Sequence, residues 1–170
     1  MYEAMTPLYR TMGAAIHASQ SFEYSVGFLL ALIAEHREPT AGEVLSASLD
    51  LRATQTLGKL VQEVKRELPD LPEEIGEYLK EGLELRNRLV HGFFPRNTER
   101  LMKPKGRIEL QDELTVTVLE IQSRDKVVWQ LIGKFLIRYG IATDQLAKQV
   151  DNTWRAYQFQ LDDDHPSGKH

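Results

Sequence analysis

Apolar residues recur along this chain at helical spacing, and Pro and Gly cut the pattern into segments. Leu8, Met12, Ala15, Phe22, Val26, Leu29, Leu30 and Ile33 follow a three- and four-residue rhythm, which lines up one face of an α-helix. A first helix is therefore expected over 6–35. Pro7 falls in its first turn, where a missing N–H is harmless. Glu38-Pro39-Thr40-Ala41-Gly42 breaks the pattern. A second helix is clearest over 53–68, where Leu57, Leu60, Val61, Val64 and Leu68 share a face. Its start is indistinct, with room for a short extra turn over 43–49, and Pro69 stops it.

Asp70-Leu71-Pro72-Glu73-Glu74 joins a capping residue, a Pro and first-turn acids, a sound start for a third helix. That helix should run to about His91, because Gly92 and then Pro95 read as a helix end. Residues 92–111 then read as a loop carrying Phe93 and Phe94, and at about 20 residues it is of the length that is usually functional or mobile. A fourth helix is expected over 112–139, with Leu114, Val118, Ile121, Val128, Ile132, Phe135 and Tyr139 in line. The piece from Leu114 to Val118 also alternates like a strand. Gly140 ends this helix, and Thr143-Asp144 opens a fifth with Leu146, Val150, Trp154 and Tyr157. The sum is an all-α chain, a single bundle of about five helices over 1–160 with a frayed acidic tail over 161–170.

Composition narrows the chemistry. The chain has 170 residues and no Cys, which excludes disulfides, thiol catalysis and zinc–thiolate sites. Its longest apolar runs, such as Val26 to Ala34, fall well short of the roughly 20 residues of a membrane span. No basic-then-apolar-then-small-residue signal opens the sequence. The expectation is a cytoplasmic protein with no membrane partner.

Net charge is −4, but unevenly spread. From Arg86 to Arg107 there are seven cations (Arg86, Arg88, Arg96, Arg100, Lys103, Lys105, Arg107) against Glu99 alone, a local charge of +6 that leaves −10 for the rest. A basic patch on an acidic body can still gather a polyanion, because the field that matters is local.

One residue is out of place for a plain bundle. On a wheel at about 100° per residue, Tyr78, Leu79, Gly82, Leu83, Leu85, Leu89 and Val90 form with Ile75 an apolar arc of about 160°. Arg86 lands near its middle, while Glu73, Glu77, Lys80, Glu84 and Arg88 lie opposite. A guanidinium there must find an anion or a cleft, since burying it unpaired costs several kcal/mol. Asp125 sits equally oddly on the fourth helix's stripe, and Glu23 sits at the stripe edge of the first. An internal ion pair with either is one reading. An Arg lining a cleft and ready for phosphate is the other, a role that suits its planar fork.

His91 follows five residues later. A His in the last turn before a Gly caps a helix well. Asn87, four residues before it, can bond the ring and set its tautomer. His17 and His36 are isolated. His165 and His170 sit in the tail with Asp162, Asp163 and Asp164, more like a solvated end than a metal site. No Gly-rich phosphate loop, Ser-His-Asp pattern or paired-His metal motif occurs, so neither metal nor cofactor is expected.

Taken together, Leu85-Arg86-Asn87-Arg88-Leu89-Val90-His91-Gly92 resembles the signature of the HEPN superfamily. That signature is an Arg, usually followed by a polar residue, and a His after four to six intervening positions. The resemblance covers 6–155 in layout and 85–93 in specific residues. It implies a metal-independent endoribonuclease of the toxin or antiphage, abortive-infection kind, working as a homodimer whose two motifs meet in one cleft. On that model His91 moves the proton of the attacking 2′-hydroxyl or of the leaving group. Arg86 steadies charge at phosphorus, Asn87 orients His91 or the phosphate, and the products are a 2′,3′-cyclic phosphate and a 5′-hydroxyl. Arg88, Arg96, Arg100, Lys103, Lys105 and Arg107 would hold the RNA backbone. Phe93 or Phe94 would stack on a base, although core packing is the commoner fate of such rings.

A cognate antitoxin or regulatory protein is a further implied partner. In one toxin subgroup a Tyr stands two residues after the His and is modified by a partner nucleotidyltransferase. Here that position is Phe93, which argues against that form of control. The superfamily also contains non-catalytic members, so a helical interaction module is the alternative expectation, and nucleotide binding without cleavage is a third.

Overall fold

A computed structural model describes residues 5–37 and 55–138. The helices are α1 (Thr6–Arg37), α2 (Leu57–Glu67), α3 (Glu73–Asn87), α4 (Phe93–Leu101) and α5 (Pro104–Arg138), with one wide π turn, Arg88–Gly92, joining α3 to α4. There is no strand among the described residues. Because α3 runs through the wide turn into α4, these residues form four continuous helical runs, fewer than the five expected. The expected fifth helix from Thr143, its Leu146, Val150, Trp154 and Tyr157, and the tail with His165 and His170 lie outside the described residues, as do 43–49.

The chain divides into two compact units, 1–129 and 130–170. In the first, the apolar stripe of α1 is buried along its whole length, from Leu8 through Phe22 and Leu30 to Ile33. Leu57, Leu60, Val61 and Val64 of α2 and Leu79 and Leu85 of α3 are buried with it, as are Leu110, Leu114, Ile121 and Val128 of α5. Arg37 at the end of α1 pairs with Glu67 at the end of α2. Of the second unit, Gln130–Arg138 is described, with Ile132, Phe135 and Leu136 buried.

Several boundaries differ from the expected ones. The helix α3 begins one residue after Pro72 with no side-chain cap, so Asp70 does not cap it. The largest correction concerns 92–111, which is not a loop. Gly92 has φ −113° and ψ −17°, ordinary right-handed backbone, so it does not end the helix. Pro95 is the third residue of α4, directly after the wide turn, and Pro104 opens α5, a first-turn position where an N–H has no helical partner. The strand-like Leu114–Val118 piece is helical, and the Thr115 and Thr117 hydroxyls donate back to the Gln111 and Glu113 carbonyls, each at 2.9 Å.

Asp125 is buried. Burial raises its carboxyl above the usual aspartate range, against the opposing pull of the Ser25 hydroxyl and the Trp129 indole beside it. One of its oxygens, Oδ1, has no partner among the described residues. A raised native value means the folded state holds this proton more tightly than the unfolded chain does. The resulting stability is complete below the ordinary aspartate value of about 4 and is lost as pH rises through the native value. Asp125→Asn is therefore expected to melt above the wild type at pH 7.5 and to lose less stability as pH rises from about 4 to 7.5. Thermal melts across that range would show it, and an Asn variant with a lower midpoint at pH 7.5 would contradict the assignment.

Candidate functional site

The end of α3 and the wide turn build the site. In a regular α-helix residues five apart sit about 140° from one another, so Arg86 and His91 would face different ways. A π turn closes i to i+5 and reduces that offset. The Arg86 Nη1 lies 3.4 Å from the His91 Nε2. A guanidinium only donates, so in a hydrogen bond here the ring nitrogen is the acceptor. The same Nη1 donates to the Asn87 Oδ1 at 3.2 Å. Arg86, Asn87 and His91 are thus gathered around one guanidinium. Asn87 reaches the Arg rather than bonding the ring.

The partner of Arg86 is settled by its other terminal nitrogen. Nη2 donates to the Glu23 Oε2 of α1 at 3.4 Å, with the two side chains 22% and 25% exposed. Asp125 takes no part in this pairing. The fork is rigid and planar, so Glu23 fixes the direction in which Nη1 points. Two of these contacts, to His91 and Glu23, are long for hydrogen bonds, and the cluster opens to solvent, with Asn87 and His91 exposed. An incoming anion can replace any of them.

The spacing between α1 and α3 at this point is set by Gly82, one turn before Arg86. A Cβ there would stand 2.7 Å from the Phe22 ring and 3.0 Å from the Arg124 side chain. Phe22 is fully buried and precedes Glu23 on α1. The close approach permitted by Gly82 therefore brings Glu23 within reach of Arg86. Sequence reading overlooked Arg124, a second interior guanidinium. It lies 4.5 Å from the centre of the Tyr78 ring, and donates to Glu81 at 2.8 Å and to the Glu120 carbonyl at 2.9 Å. The Tyr78 hydroxyl bonds Ser123. The signal was available, since Arg124 adjoins Asp125 on the buried side of α5, but the wheel of α3 alone did not reach it.

The basic segment is less free than its charge suggests. Arg100 bonds Glu113 at 2.7 Å and Glu109 at 3.4 Å. That pairing holds the Glu113 carboxyl below its usual range, the Arg100 hydrogen bond being the main cause. Lys103 pairs with Glu99 at 2.6 Å, and Lys105 approaches Glu109 at 3.8 Å. Arg107 donates to the Leu101 carbonyl at 3.0 Å. Among the described residues, Arg88, Arg96 and Arg107 have no carboxylate partner. So three of the six cations assigned to the RNA backbone are engaged by acids of α4 and α5. The tight corner at Met102–Lys103 folds Glu109 and Glu113 back onto Arg100, while the two lysines meet acids four residues away along the chain.

Past the wide turn the phase of the helix shifts. Val90, placed on the apolar arc by the wheel, is 45% exposed, as is Phe94. Phe93 is half-buried and meets Phe94 edge to face at 5.4 Å. No helix among the described residues is long and apolar enough to cross a membrane, and no group of three or more His, Asp or Glu gathers there as a metal site. Compared with known proteins, the chain matches no family model, no curated protein and no solved structure.

Proposed function

We propose that this chain is a metal-independent endoribonuclease of the HEPN type, acting on RNA as a homodimer in a toxin-like or antiphage role. The observation that supports this most is the single guanidinium of Arg86 shared by Asn87 and His91 across the wide turn. A fixed cation beside an imidazole is the pair that in-line attack within RNA needs. The imidazole accepts the 2′-hydroxyl proton as that oxygen bonds to phosphorus, and the P–O5′ bond breaks. The leaving 5′-oxygen takes a proton, supplied by the second imidazole of a two-fold cleft. The products are a 2′,3′-cyclic phosphate and a 5′-hydroxyl, with no water consumed. Arg86 steadies the extra negative charge at phosphorus, where an oriented donor acts most strongly.

A second reading, a non-catalytic helical interaction module, is favoured by the acid-paired cations and by the exposed Ile108, Val116 and Leu119 on α5.

The deciding experiment is cleavage of a mixed tRNA and mRNA pool in EDTA by wild type and His91→Ala, with the ends mapped. Cyclic-phosphate ends made by wild type, and reduced at least ~10²-fold in a folded His91→Ala, are the expected result. Equal cleavage by both proteins would remove the ribonuclease assignment to this site. Binding to a protein partner with no RNA cleaved would select the second reading.

A further inference from the structure

Arg96, like Arg88, has no acidic partner among the described residues, unlike the cations at the corner that follows it. Arg100, Lys103 and Lys105 each face a glutamate, whereas Arg96 is exposed and makes no hydrogen bond or ion pair among the described residues. Its side chain nevertheless has a defined place. A Cβ built on Gly92 would lie 3.3 Å from the Arg96 Nε, 3.4 Å from Cζ and 3.5 Å from Cδ. The guanidinium therefore lies along the Gly92 backbone, one residue beyond His91. Gly92 has right-handed backbone angles that any residue adopts, so what its missing side chain provides is room for Arg96.

An unpaired guanidinium held against backbone keeps its donors for an outside acceptor, and its planar fork matches a phosphate. Single strands are bound in part by cations placed along their backbone. We infer that Arg96, seated on Gly92, is a second phosphate subsite, taking the phosphate adjacent to the one held at Arg86 and His91 on a single strand. This rests on the ribonuclease reading for the site's orientation, while the binding it describes does not require cleavage.

The test uses a ten-nucleotide 2′-deoxy strand, which lacks the attacking hydroxyl and cannot be cut by this route. Its binding to full-length wild type and Arg96→Ala is followed by fluorescence anisotropy as NaCl is raised. Arg96→Ala is expected to bind about tenfold more weakly at low salt, with the slope of log K against log[NaCl] reduced by about 0.7, the value of one lost phosphate contact on a single strand. Arg96→Lys should recover most of the slope and less of the affinity. For cleavable RNA, Arg96→Ala should raise KM more for a ten-mer than for a dinucleoside monophosphate, which has one phosphate.

Unchanged affinity and slope in a folded Arg96→Ala would overturn the subsite, as would a wild type that does not bind the strand. An equal penalty on dinucleotide and ten-mer would also overturn it, by placing Arg96 at the scissile phosphate. Normal binding with the expected slope change, but no RNA cleavage by wild type, would remove the ribonuclease reading and leave the subsite standing.

Discussion

On the proposed ribonuclease function, Arg86→Lys is expected to fold like the wild type and still lose at least ~10²-fold of the cleavage rate, nearly as much as Arg86→Ala. The reason lies in the fork. One terminal nitrogen of Arg86 is held by Glu23 at 3.4 Å while the other faces Asn87 and His91. An ammonium is a single point of charge and cannot meet both sides at once. It would settle on the Glu23 side or the His91 side, and in either case the cation would no longer be held where charge develops. Stability should change little, about 1 kcal/mol or less, because the pair is part-exposed and a long single contact. Initial rates on the RNA pool, alongside thermal melts, would check both halves. Full activity in Arg86→Lys would show that charge suffices and that the planar geometry described above is incidental.

Gly106→Ala is the second large effect, and it concerns stability. Gly106 is buried in the first turn of α5, just past the Met102–Lys103 corner. A Cβ there would stand 2.9 Å from both the carbonyl carbon and the Cα of Arg100, and closer still to the carbonyl oxygen. The obstacle is backbone, which cannot rotate away as a side chain does. The corner would have to open, and with it the Arg100–Glu113 pair. A loss of about 2–4 kcal/mol follows from overpacking of this kind, equivalent to a melting point lower by roughly 5–15 °C in a chain of this size. Gly13 provides the control. It is exposed within α1, and an added Cβ would meet nothing within 4 Å. There Gly13→Ala should stabilise by about 0.5–1 kcal/mol through helix propensity alone. Circular-dichroism melts of the two variants should move in opposite directions. A Gly106→Ala that melts with the wild type would show that the corner adjusts at little cost.

Much of the helical layout was legible because it depends on residues that are neighbours along one face. The α1 stripe from Leu8 to Ile33 and the α2 stripe from Leu57 to Val64 needed only spacing, and both are buried as expected. The region after His91 was misread because Gly and Pro are ambiguous punctuation. Gly92 looked like a stop, yet it leaves room for Arg96. Pro95 looked like a breaker, yet it lies just past the wide turn inside a continuing helix. Spacing along the chain could not reveal the wide turn, which depends on which carbonyl each N–H selects. That turn is also what moves Val90 out of the apolar arc.

The candidate site was partly legible for the same reason. Arg86, Asn87 and His91 are close in sequence, and their grouping could be read from it. Glu23 against Asp125 as the Arg86 partner could not, since a wheel gives each helix's faces but not the height at which two helices meet. Here Gly82 against Phe22 fixes that height. The cations of 96–107 were countable, but Glu109 and Glu113 reach Arg100 only through a corner the sequence did not disclose.

The wide turn is also a matter of reading frame. Five residues occupy the place of four, so 88–92 behaves as a one-residue insertion in an otherwise regular helix. Deleting a single codon between Asn87 and His91 would let the segment close as an ordinary helix and turn everything beyond it by about 100°. Composition and charge would scarcely change, yet Phe94 and Arg96 would face another side of the molecule. This stretch should therefore tolerate changes of letter far better than a change of length.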